Sequence, residues 1–92
     1  MFASIIIPVL NEEVSIKILL NQLQLYRNLG HEVIVVDGGS KDKTVSISEF
    51  LADIVIQSPP GRAIQMNAGA AQANNNILWF LHADTLLPVN AI

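Results

Sequence analysis

Glu32-Val33-Ile34-Val35-Val36-Asp37-Gly38-Gly39-Ser40 is the stretch on which the fold turns. Val33 to Val36 are apolar without alternation, so a strand formed here needs cover on both faces. That is the condition of a parallel sheet between helices, not of a hairpin with one wet face. Asp37 and the two glycines then end the run with turn residues.

Outward from this stretch, Ser4 to Val9, Ile54 to Gln57 and Ile77 to His82 are rich in β-branched or aromatic residues and read as strands. Between the first two strands, Val14, Ile18, Leu19, Leu23 and Tyr26 recur mostly at steps of three and four. They predict an amphipathic helix that stops at Leu29-Gly30, with Gly30 as its cap. Thr44, Val45, Ile47, Phe50 and Leu51 predict a shorter helix with Asp42 as N-cap. Ser58-Pro59-Pro60-Gly61 turns the chain into a third helix over Arg62 to Ala73, thin because of Ala70, Ala71 and Ala73 and packed closely on the sheet at Gly69. The order βαβαβαβ, with no hairpin dipeptide joining neighbouring strands, predicts an α/β fold. Its expected core is a Rossmann-like parallel sheet of four strands with alternating helices.

The chain has 92 residues, 51% hydrophobic and 14% charged, which suits a single folded unit over 1–92. A mean hydropathy of +0.44 is more apolar than so small a unit needs, so some apolar surface is expected to meet another surface. Only Ala83 to Ile92 follow the last strand, with no closing helix. Two expectations follow: a homo-oligomer formed through that surface, or a unit truncated at its C-terminus that is the N-terminal part of a longer enzyme.

No apolar run reaches the roughly 20 residues of a membrane span. Asn11, Glu12 and Glu13 come too early for a signal peptide, and cysteine is absent, so the cytoplasm, including the inner face of the membrane, is the expected compartment. Five basic residues against eight acidic ones, a net charge of −3 with Lys17, Arg27, Lys41, Lys43 and Arg62 scattered, exclude a nucleic-acid partner. Zero cysteines and two distant histidines, His31 and His82, exclude a structural zinc site and a cysteine nucleophile; a bound metal must lean on carboxylates.

In an open parallel sheet, ligands bind beyond the carboxyl ends of the strands. The segments expected there are Pro8-Val9-Leu10-Asn11-Glu12, Asp37-Gly38-Gly39-Ser40, Ser58-Pro59-Pro60-Gly61-Arg62 and His82-Ala83-Asp84-Thr85. They hold the acids, the double glycine and an arginine at a helix start, whereas the opposite edge holds ordinary turn residues. Arg62 opposes its helix dipole and so asks for an anion nearby. Acid, base and amide together suit a nucleotide diphosphate bound through Mg²⁺ or Mn²⁺, which neutralises a pyrophosphate leaving group with one or two protein ligands. Asp84 is the best ligand candidate. His82 either adds a nitrogen or is a strand-end histidine satisfied by a neighbour's backbone, and the two share a face only if the strand continues to Asp84.

Four motifs in order carry a resemblance. They are Ser4 to Glu13, Val35 to Thr44, Gly61 to Ala70 and Phe80 to Thr85, spanning nearly the whole chain. Together they resemble the nucleotide-sugar-binding half of family 2 glycosyltransferases of the GT-A fold. The resemblance implies that Pro8, Val9, Leu10, Asn11 and Glu12 lie against the nucleoside. It implies that Asp37 matches the first acid of the family's Asp-Asp-Gly-Ser loop and contacts base or ribose, with Gly38 in place of the second acid. Arg62 and Asn67 would line the nucleotide side, and Asp84 would match the last acid of the metal-holding Asp-x-Asp motif. His82 stands where that motif usually begins with Asp, and the His82-Ala83-Asp84 variant resembles a bacterial subgroup.

The implied reaction is sugar transfer from a nucleotide-diphospho-sugar to an acceptor hydroxyl, with this chain supplying the donor-binding half and the catalytic base lying outside it. The alternative is a non-catalytic nucleotide-sugar-binding or oligomerisation module. The Walker spacing and G-x-G-x-x-G are not met, which argues against an NTPase or dehydrogenase. Taken one by one, the residues also have plainer readings: Asp37 as a strand-end turn, Asp84 as a cap, and Glu12-Glu13 as the acidic first turn of a helix.

Overall fold

In the computed structural model, which describes residues 1–87, seven elements follow one another. They are β1 (Ala3–Val9), α1 (Glu13–Asn28), β2 (Glu32–Asp37), α2 (Thr44–Leu51), β3 (Ile54–Gln57), α3 (Arg62–Gln72) and β4 (Ile77–Phe80). The end of the expected 1–92 unit, 88–92, lies outside the described residues. The strands form one sheet in the order β3-β2-β1-β4 with every pair parallel. β1 and β2 are therefore central, and Ile5, Ile6, Ile7 and Val33 to Val36 are fully buried, as unalternating apolar strands require.

Alternation along the strands divides the core in two. Ile5, Ile7, Val9, Val33 and Val35 face α1, whose Ile16, Leu19, Leu20, Leu23 and Tyr26 form the matching stripe, with Ile47 and Leu51 of α2 beside it. Ile6, Ile34 and Val36 face the alanines of α3 on the other side. That face is shallow because α3 approaches closely. A Cβ on Gly69 would lie 2.5 Å from Cγ2 of Ile6 and 2.9 Å from Cγ2 of Val36.

The expected cap of α1 is present: Gly30 has φ +108°, and its N–H donates to the Arg27 carbonyl at 3.0 Å. Arg27 fastens the same helix end to the turn before β3 through Asp53, at 3.1 Å, and the Leu51 carbonyl.

β1 starts one residue earlier than expected, at Ala3, and α3 ends one earlier, at Gln72; two further differences bear on the site. Helix α2 begins one residue later, with Lys43 at its N-cap position. Asp42 still serves the helix end, because its Oδ1 accepts the Thr44 N–H at 2.9 Å while its Oδ2 accepts the Glu13 N–H at 3.3 Å, joining two helix starts. β4 ends at Phe80, not His82, since the chain leaves β1 after Leu81 donates to the Ile6 carbonyl. It turns at once, with His82 N–H bonded to Oγ1 of Thr85 and Thr85 N–H bonded to the His82 carbonyl. His82 and Asp84 therefore share no strand face.

Candidate functional site

The strand order places the crevice. From β1 the chain winds through β2 to β3 on one side, then crosses beneath the sheet in α3 to β4 on the other, so the direction of winding reverses at β1. Such a switch point opens a gap between diverging loops at the carboxyl ends. A cleft of about 250 Å³ lies there, lined by Pro8, Val9, Leu10, Glu12, Gly61, Arg62 and Gln65. Pro8 and Val9 are buried strand-end residues that form its floor, whereas Leu10 is exposed.

The loops after β1 and β2 are stitched together by side chains bonding backbone. Asn11 adopts φ +51°, a left-handed conformation that asparagine tolerates better than most residues. From there its Oδ1 accepts the Lys41 N–H at 2.7 Å, and its own N–H donates to Oγ of Ser40 at 2.8 Å. Glu12 N–H donates to Oγ1 of Thr44 at 2.9 Å, and the Glu12 carboxylate accepts the Leu10 N–H. Asn11, expected against the nucleoside, thus builds the rim. The hydrogen bond from the Thr44 hydroxyl, helped by backbone N–H groups, holds the Asp42 carboxyl below its usual range.

Asp37 lies at the same rim but beneath its surface, 1% exposed. Its carboxylate accepts the N–H groups of Gly39 and Ser40 at 3.0–3.2 Å, so the acid shapes the Gly38-Gly39 turn. Gly38 is buried, and its N–H donates to the Val9 carbonyl at 3.0 Å.

Arg62 opens α3 on the far wall of the cleft, where the helix N-terminus already favours an anion. Its Nη1 lies 3.3 Å from Nε2 of His82. A guanidinium can only donate, so in this contact Nε2 is the acceptor. Because Nε2 faces a cation, the nitrogen ligand expected of His82 is turned toward Arg62 in this arrangement.

Asp84 is exposed within the turn, beside a small cavity of about 50 Å³ shared with Ser15, Ile18, Thr85 and Leu86. Ala83, expected in the nucleotide site, is instead 2% exposed and packs in the α1-side core. Asn67 is exposed and not among the cleft-lining residues: two positions past Gln65 is about 200° around a helix, and Gln65 faces inward.

Gln65 is a cleft-lining residue that the motifs do not single out. It is 5% exposed, and its Nε2 donates to the carbonyls of Val9 at 3.0 Å and Val36 at 2.9 Å. Its Oε1 accepts the Gly61 N–H at 3.2 Å. The signal was present: a polar residue four before Gly69 lies on the sheet-facing side of α3.

Among the described residues, no group of three or more His, Cys, Asp or Glu converges to cage a metal ion. The exposed Asp84 carboxylate fits Mg²⁺ or Mn²⁺ of the kind that takes one or two protein oxygens and completes its shell with phosphate and water. No described helix is long and apolar enough to cross a membrane.

The sequence pattern of Glycosyl transferase family 2 matches residues 4–92. Glycosyltransferase AglE of Haloferax volcanii is 36% identical over 92 residues, 90% of this chain and 30% of that protein. The undecaprenyl-phosphate 4-deoxy-4-formamido-L-arabinose transferase of Pseudomonas fluorescens is 31% identical over 102 residues, 99% of this chain and 30% of its own length. The chain thus spans about 30% of the length of the curated relatives it matches.

Among solved structures, mannosyltransferase PcManGT from Pyrobaculum calidifontis, in complex with GDP-Man and Mn²⁺, superposes with a TM-score of 0.82 at 30% identity, over 95% of this chain and 28% of that one. S. aureus TarS 1-349 in complex with UDP-GlcNAc superposes with a TM-score of 0.77 at 33% identity, over 91% of this chain and 27% of that one. These neighbours are GT-A glycosyltransferases, and their likeness extends over the sheet and helices that frame the cleft. By its matched length and its parallel α/β sheet, the chain belongs to glycosyl transferase family 2.

Proposed function

We propose that the protein transfers a sugar from a nucleotide-diphospho-sugar to an acceptor hydroxyl, and that this chain forms the donor-binding half. The observation that carries the proposal is Arg62, a cation at the N-terminus of α3 that lines a cleft at the switch point of the sheet, with His82 against its guanidinium. Two positive features there, the guanidinium and the helix end, match a diphosphate better than any neutral ligand. The cleft, at about 250 Å³, is smaller than the roughly 300–1,000 Å³ of pockets that enclose a whole small molecule, which suits holding part of a donor.

In this arrangement Pro8 to Glu12 form the nucleoside wall, and Asp37 and Gly38 shape the turn that flanks it. Arg62 draws the diphosphate to the helix end, and His82 steadies the guanidinium beside the opening. Asp84 holds the divalent cation together with the donor's phosphates. When bound, Mg²⁺ or Mn²⁺ neutralises charge that develops on the departing nucleoside diphosphate. The His82-Ala83-Asp84 sequence marks the subgroup to which we assign the chain.

Calorimetric titration with uridine or guanosine diphosphate tests the proposal. With Mn²⁺ present, binding is expected. Because the described residues offer no metal cage, Mn²⁺ alone is expected to bind at least tenfold more weakly than in the presence of nucleotide, and the reverse enhancement must be equal by linkage. Asp84→Ala is expected to remove the metal-dependent part of nucleotide affinity, and Arg62→Ala to lower affinity by about tenfold or more without metal. If neither diphosphate binds a well-folded protein, the proposal fails; donor binding without turnover in the full-length protein would identify the non-catalytic module.

A further inference from the structure

Resting on the nucleotide-binding reading, we infer that Gln65 is a positioning residue. Its buried amide, admitted by the missing side chain of Gly38, locks the Arg62 end of α3 onto the exits of β1 and β2 and so preforms the cleft. The geometry brings three segments to one point. Nε2 of Gln65 uses both protons, one on the Val9 carbonyl where β1 ends and one on the Val36 carbonyl near the end of β2. Oε1 holds the Gly61 N–H, immediately before Arg62. The β1 exit, Gly61 and Gln65 itself line the cleft, and the end of β2 supports them from behind.

Gly38 completes the lock. A Cβ there would lie 3.0 Å from Oε1 and 3.1 Å from Cδ and Nε2 of Gln65, closer than such atoms ordinarily approach. Gly38 also donates to the Val9 carbonyl that Gln65 holds, so the two residues share an acceptor. A carboxylate at position 38 would meet the amide of Gln65 in the same space. Glycine at 38 and glutamine at 65 are therefore a matched pair: the glutamine amide fills the place a second acid would take and fixes the turn from below.

The lock predicts coupling of two kinds. Gln65→Met keeps volume and loses all three hydrogen bonds; it should weaken uridine diphosphate binding, measured with Mn²⁺, by about tenfold. In an Arg62→Ala background the same change should alter affinity less than about twofold, because Gln65 acts through the placement of Arg62. A residue with only a stability role would show its full effect in both backgrounds, and that result would overturn the positioning role.

Gly38→Asp should lower both affinity and the thermal midpoint, and Gln65→Ser, which clears the space but gives up the lock, should cost the midpoint less in the Gly38→Asp background than in the wild-type protein. Additive effects of Gly38→Asp and Gln65→Ser on the midpoint would overturn the matched pair. If the wild-type protein binds neither uridine nor guanosine diphosphate, the donor-site reading is lost and with it the positioning role. The midpoint cycle between positions 38 and 65 then still decides the lock independently, since it needs no ligand.

Discussion

Asp42 shows how a single carboxylate can serve two elements at once. It accepts N–H groups from the starts of both α1 and α2 and the hydroxyl of Thr44, which together hold it ionised at lower pH than an ordinary aspartate. Glu32 behaves alike at the opposite sheet edge. Burial pushes its carboxyl up, but bonds from the Asn74 N–H, the Ser4 hydroxyl and the Asn74 amide outweigh that and leave it lowered. A carboxylate lowered in the folded state contributes stability that is complete above its unfolded value and is lost as pH falls through the folded one. Denaturant midpoints are therefore expected to be level near neutrality and to fall below about pH 4. Asp42→Asn should lower the neutral plateau and flatten the acid limb, with the Glu32 share of the slope remaining. An acid limb unchanged in Asp42→Asn would remove Asp42 as a contributor.

At the scale of elements, α3 does the most with the least side chain. Its alanines and Gly69 let the helix settle on Ile6 and Val36, and that seating carries Gln65 to the strand ends and Arg62 to the cleft. Gly69→Ala is expected to cost about 1–3 kcal/mol, because the new methyl would overlap two fully buried branched side chains in a packed interior. It should also weaken nucleotide binding, since any outward movement of α3 withdraws Arg62. Chemical denaturation and calorimetry on the same variant check both, and a stability change below about 0.5 kcal/mol would show that the interface yields. The apolar periodicity that marks α1 is equally plain in α2, yet α2 begins one residue after the position its sequence suggests. The reason is that Asp42 bonds from just outside the helix to two different elements, a role visible only when both are placed.

For the molecule as a whole, β4 forms an edge of the sheet with Ile77, Leu78 and Phe80 exposed, a surface prone to pairing. The isolated chain is expected to self-associate in a concentration-dependent way, and Ile77→Lys should shift it toward monomer in sedimentation velocity; indifference to the substitution would place the contact elsewhere. The parallel α/β sheet, its helices and the cleft beyond the strands' carboxyl ends could all be read from the chain alone. Apolar runs, periodicity and turn residues are local signals, and parallel pairing sends every strand's carboxyl end the same way. Which residue at that rim faces ligand and which supports it could not be read in this way. Asp37 and Ala83 lie buried, Asn11 bonds Lys41, Asn67 faces solvent, and Gln65 joins three segments, as many as 56 positions apart along the chain. Those roles depend on distances between segments remote in sequence, and such distances exist only once the helices are seated on the sheet.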